Sequence, residues 1–228
     1  MSVAHVIYNP VKNEKMSILK KQSRKEEIVN AITHGMGFLA GLVFVPFIIY
    51  LAYKNSGSMM IFGVSMFSFG LLITYFSSFM YHSVKTKKWK DRWRILDHIS
   101  IFTLIGGTYF PVVLAYIPFE KGSIFLGIMW LIIFIGSILK IFYTGKYEVI
   151  SIILYVFLGW MIIFLIKPLI SATPVDVLWL LLAGGISYIV GIYFYVDKKI
   201  KFGHAIWHTF VLGGTTLHFI AIYFTLIG

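Results

Sequence analysis

The chain has 228 residues, of which 59% are hydrophobic, 18% aromatic and only 13% charged, and it carries a formal net charge of +11. A soluble domain of that composition would have no polar surface, so it must be an integral membrane protein. With no cysteine at all, it can form no disulfide, no thiolate metal site and no cysteine nucleophile, so any metal must be held by histidine and carboxylate.

Apolar runs of membrane-crossing length predict seven spans, near 28–53, 58–82, 96–118, 123–143, 148–167, 175–196 and 204–226. The fold class is therefore an all-α seven-transmembrane-helix bundle: a basic arm over residues 1–26, then one helical domain over 27–228. The longest connection, 83–95, leaves no room for an independent domain, which confines function to the bundle and its rim. The apolar run after Glu27 is too long for a signal-peptide core and lacks a small-residue cleavage site, so the first span is expected to remain as an anchor.

Seventeen of the twenty Lys and Arg residues fall on one side: the arm, the second loop from Lys85 to Arg94, the fourth with Lys140 and Lys146, and the sixth with Lys198, Lys199 and Lys201. Only Lys54, Lys121 and Lys167 fall on the other. The positive-inside rule then puts the N-terminus in the cytoplasm and the C-terminus outside, in the cell membrane. The positive charge is thus a topology signal and not a nucleic-acid patch, although the arm's Lys20-Lys21-Gln22-Ser23-Arg24-Lys25 run would also suit anionic headgroups.

Ionisable residues are expensive in a bilayer and mark function there. His204 and His208 open the seventh span four residues apart, so both rings leave one helix face about a turn apart, as two ligands of one ion would. By the orientation above, His82 at the end of span two and Asp97 at the start of span three lie at the same cytoplasmic depth. Three histidines with an open fourth position are a catalytic zinc arrangement, since the metal brings a bound water towards neutral pKa. Asp97 is then either the general base for that water or a direct ligand. Ser78, one turn deeper than His82, can hydrogen-bond that water or a substrate carbonyl, or bond back to its own helix.

His34, Asn30 and Glu26 form a polar stripe on span one, suited to lining a cavity, supporting the ligands or bonding between helices. His98 points about 100° away from Asp97 and is a weak ligand candidate. His218, ten residues beyond His208 and so about 15 Å further along the helix, cannot share its ion and reads as packing. Nothing is assigned to His5. The pairs Gly106-Gly107, Gly184-Gly185 and Gly213-Gly214 suit close helix approach.

The blocks Glu27-x2-Asn30-x3-His34-Gly35, Ser78-x2-Tyr81-His82-Ser83, Leu96-Asp97-His98, Gly107-Thr108-Tyr109-x-Pro111 and His204-x3-His208, with Gly213 and His218 after it, resemble the hemolysin III family. That family is grouped with the progestin and adipoQ receptors and, more distantly, the alkaline ceramidases. The resemblance runs in order from residue 26 over nearly the whole chain. It implies seven helices and an intramembrane zinc held by His82, His204 and His208, with Asp97 and Ser78 around its water. It also implies three activities: pore-forming hemolysis, lipid-amide hydrolysis and receptor signalling. The metal chemistry favours a zinc hydrolase acting on a lipid amide or ester drawn from the membrane. The alternatives are a pore-forming cytolysin, which uniformly apolar mid-spans support poorly, and a receptor or regulator with structural zinc.

Overall fold

The computed structural model describes residues 22–197 and 199–228. Residues 1–21 of the basic arm, His5 among them, and Lys198 lie outside the described residues. Among the described residues the protein is all helical, and seven helical segments are long and apolar enough to cross a membrane. A bilayer offers no water to unpaired amides, so apolar spans of this length resolve as helices that satisfy their own backbone. The spans are α1 (Arg24–Asn55), α2 (Ser58–Ser83), α3 (Lys87–Tyr116), α4 (Phe119–Tyr143), a fifth made of α5 (Glu148–Gly159) and α6 (Ile166–Ala172), α7 (Val175–Val196) and α8 (Gly203–Ile227).

Two differences from expectation have physical causes. The expected 83–95 loop is mostly helix, because α3 begins at Lys87 and only 84–86 separate it from α2. Its basic first turns disguise the helix in a hydropathy reading, yet two of those residues form ion pairs that seat it: Lys90 with Glu27 and Arg94 with Glu148. The fifth span is broken by a 3-10 turn, Met161–Leu165. Pro168 cannot donate to the carbonyl four residues earlier and its ring crowds that carbonyl, so the helix restarts with Pro168 in the first turn of α6. The Tyr109 hydroxyl bridges the break. It donates to the Gly159 carbonyl at 2.7 Å, lies 3.0 Å from that of Leu158 and accepts from the Ile162 N–H at 3.3 Å.

Span α2 packs most extensively on α3, and α7 on α8, with α1 closing against both α2 and α8. Close approach has a visible cause at Gly107, where a Cβ would stand 2.5 Å from the Met66 carbonyl oxygen. Two buried apolar clusters hold the bundle. One joins α3, α4 and the fifth span around Phe102, Val113, Met129 and Leu158. The other joins α1, α2 and α8 around Ile48, Phe67 and Ile222.

The polar end is set by local chemistry. Ser23 and Glu26 form a reciprocal capping box at the start of α1: the Ser23 N–H donates to Glu26 Oε2 at 2.8 Å and the Glu26 N–H to Ser23 Oγ at 3.3 Å. Glu26 Oε1 also accepts from the Phe202 N–H at 3.4 Å. Phe202 is the N-cap of α8 and has a left-handed backbone, φ 59° and ψ 18°, a conformation costing a non-glycine residue about 1–2 kcal/mol. The next residue, Gly203, lies so close to α7 that a Cβ would meet the Phe194 carbonyl oxygen at 2.5 Å. Together these contacts fix how α8 enters the bundle, and with it where His204 and His208 point.

Candidate metal centre

His82 comes from the last turn of α2, and His204 and His208 from the first turns of α8. Each offers one ring nitrogen such that all three lie within 4.8 Å of one another. Their ring centroids are 5.0 Å apart for His82 and His204, 5.3 Å for His82 and His208, and 4.6 Å for His204 and His208. Tetrahedral zinc with Zn–N of about 2.05 Å needs nitrogens about 3.3 Å apart, so the three rings would have to draw together to hold an ion.

Two of the three tautomers follow from their neighbours. His82 Nδ1 lies 2.8 Å from Glu27 Oε2, and a carboxylate only accepts, so Nδ1 carries the proton. His82 Nε2 is left bare, buried and without a hydrogen-bond partner. His208 Nδ1 lies 3.0 Å from Thr33 Oγ1 and 3.3 Å from the Asn30 carbonyl oxygen. The Thr33 hydroxyl already donates to that carbonyl at 2.8 Å, so the imidazole is the donor and its Nε2 is the free nitrogen. An imidazole that donates through one nitrogen to a carboxylate or carbonyl while the other faces its companions is the arrangement that orients metal ligands. Three imidazoles, one of them with an orphaned buried nitrogen, fit a borderline-soft divalent ion such as zinc.

Glu27 is the residue that sequence reasoning left without a role. Beyond His82 it pairs with Lys90 Nζ at 2.9 Å, and Lys90 also donates to the Tyr81 carbonyl at 3.2 Å and lies over the Tyr81 ring. The available signal was a carboxylate just inside an apolar span. Its partner lies 55 residues away, beyond the reach of any local pattern.

The remaining sequence candidates divide by position. Asp97 and His98 line a cavity of about 140 Å³ together with His34, His204 and His208. The cavity runs between α3, the fifth span, α7 and α8 past Tyr155, Tyr188 and Trp160 to His218, so its wall is chiefly apolar and aromatic. His34 is buried, stacks on His208 with ring centroids 3.6 Å apart and 14° between planes, and has neither ring nitrogen hydrogen-bonded. Asn30 is fully buried; its carbonyl faces His208 and its side-chain amide donates to Gln22. Ser78 is fully buried, and its hydroxyl makes no bond back to its own helix or to any other described group. His98 stays out of the triad and turns to Asp97, the Arg94 carbonyl and Glu148. His218 donates through Nε2 to the Leu181 carbonyl at 3.1 Å, while its Nδ1 is unpaired.

A seven-span bundle with three histidines gathered at one end of two neighbouring helices defines a class: multi-pass membrane proteins with a histidine centre inside the bundle. The profile described as haemolysin-III related matches residues 22–219, and the chain belongs to that family. It is 40% identical over 200 residues to the Hemolysin-3 homolog of Bacillus subtilis, covering 88% of this chain and 94% of that protein. With Hemolysin-3 of Bacillus cereus it shares 37% identity over 211 residues, 92% of this chain and 96% of the relative. A more distant likeness, 28% over 163 residues, is to the human Monocyte to macrophage differentiation factor, covering 69% and 67% of the two chains. Family and spans together make this a multi-pass protein of the cell membrane.

Proposed function

We propose that the protein is a zinc-dependent hydrolase of a lipid amide or ester, working at the cytoplasmic edge of the bilayer. The observation that carries the reading is the convergence of His82, His204 and His208, two of them with the proton fixed on the far nitrogen, where His204 and His208 line a largely apolar cavity that Asp97 also lines. Zinc held there would supply Lewis-acid polarisation and an activated water.

The chain's own groups do the rest. Asp97 takes the proton from the attacking water and returns it to the leaving amine or alcohol. Ser78, with its hydroxyl unspent, offers a hydrogen bond to the oxygen on which negative charge develops. The apolar wall, from Ile101 to Trp160, accepts hydrocarbon and keeps bulk water from the reacting carbonyl. Cytoplasmic placement rests on the basic residues: Lys90 and Arg94 stand at the same end as the histidines, as the positive-inside rule requires.

The relatives named Hemolysin-3 make cytolysis a second reading, and a receptor with structural zinc is a third. Assay of purified protein against a panel of lipid amides and esters, with dye release from liposomes in parallel, separates them. Metal-dependent hydrolysis abolished by histidine substitution supports the enzyme. Dye release that survives replacement of all three histidines, with no hydrolysis, supports the pore. Loss of both activities in a folded variant points to zinc as a clamp.

A further inference from the structure

Beside the histidine centre lies a second group of ionisable side chains that the proposed chemistry leaves unused, buried at Glu148, Lys140 and His98 and half-buried at Arg94. Glu148, at the start of α5, is 4% exposed and gathers three partners. Its Oε1 lies 3.2 Å from Arg94 Nη2, and its Oε2 lies 3.4 Å from Lys140 Nζ and 3.7 Å from His98 Nε2. The other nitrogen of His98 lies 2.8 Å from the Arg94 carbonyl oxygen and 3.3 Å from Asp97 Oδ2. Both neighbours of Nδ1 are acceptors, so that nitrogen donates. The His98 ring thus lies between the two carboxylates, Asp97 on its Nδ1 side and Glu148 on its Nε2 side. Its backbone is held too, by the Tyr155 hydroxyl, which donates to the His98 carbonyl at 2.8 Å.

Burying such a network is costly, and buried ion pairs seldom repay their desolvation in stability. Within a bilayer the cost argues for a role in function. The geometry supplies one, because Asp97 and Glu148 both line the cavity that reaches His204 and His208, and His98 connects them. We infer that Glu148 is a positioning residue which, acting through His98, fixes the Asp97 carboxylate relative to the three histidines, with Arg94 and Lys140 holding Glu148 in place. This deepens the metal-centre reading and rests on it, but it does not depend on hydrolysis.

The test uses full-length protein in detergent loaded with cobalt(II), whose visible absorption reports the surroundings of the ion. The difference between wild type and Asp97→Asn defines the contribution of Asp97. Glu148→Gln should bind the same amount of cobalt and reproduce most of that difference, and it should change nothing further when combined with Asp97→Asn. His98→Gln, which leaves Glu148, Arg94 and Lys140 paired, should behave alike and decides the matter if Glu148→Gln fails to fold. A wild-type spectrum in both single variants would overturn the inference. So would changes that persist in full in the Asp97→Asn background, as a merely structural role would produce, or identical spectra for wild type and Asp97→Asn. Failure to take up cobalt would remove the centre and this role together. Absence of hydrolysis with the spectral coupling intact would instead count against the hydrolase reading alone.

Discussion

The two ends of the bundle are built by different forces. At the histidine end, buried and half-buried polar groups are linked to one another in chains: Lys90 to Glu27 to His82, Thr33 and Asn30 to His208, and Glu148 to His98 to Asp97. Towards the opposite end of α8, Ile222 and Leu226 sit in an apolar cluster with Ile48, Ala52 and Val64, held chiefly by packing, with Asn55 Nδ2 donating to the Leu226 carbonyl at 3.1 Å and Tyr116 to Thr225 Oγ1 at 3.0 Å. Dispersion and burial tolerate small shifts of a side chain, whereas a metal site must hold its ligands and base within about half an ångström. The directional bonds are concentrated where position matters to chemistry, and the apolar end supplies the rigid frame.

Substitutions can break that contrast from either side. The largest expected effect short of removing the ligands is at Asp97: Asp97→Asn should retain most of the zinc yet lower lipid amide or ester turnover by about 10² or more, as the loss of a general base does. Dye release from liposomes by the same variant should be unchanged. Next comes Glu27→Gln, which weakens the acceptor for His82 Nδ1 and should reduce zinc affinity about ten- to a hundredfold, read by competition with a chromogenic chelator. At the apolar end the expected effect is on stability. Ile222→Ala removes a fully buried side chain and should cost about 2–5 kcal/mol in thermal unfolding in detergent, with the zinc content unchanged. A zinc loss there would show that the two ends are not separable. The smallest perturbation is a label: cysteines placed at Lys88 and Gly228 should react from opposite sides of intact cells, and same-side labelling would overturn the orientation.

Much of this was legible in the chain because the bilayer imposes simple rules. Seven apolar runs became seven spans, and the spacing of His204 and His208 put both rings on one face. That His82 meets them followed from the alternation of basic loops, which placed the end of span two and the start of span seven on one side. The break in the fifth span was harder to see, since Gly159 and Pro168 lie within an otherwise uniform apolar stretch and the tyrosine that bridges the break is 50 residues away. Glu27, Lys90, Lys140 and Glu148 were visible as charges at span ends, but their roles depend on long-range pairing. Ser78 shows the opposite limit: its spacing suggested either back-bonding or a site role, and only its unpaired buried hydroxyl removes the first.

Metal binding by the three histidines is the property on which the rest depends. Elemental analysis of the purified protein, in wild type and in the His82→Ala/His204→Ala/His208→Ala variant, tests this most directly. The expected result is about one zinc per chain in the wild type and none in the variant, with His218→Ala, whose ring lies too far along α8 to share the ion, retaining the full amount. Equal metal content in wild type and the triple variant would contradict it.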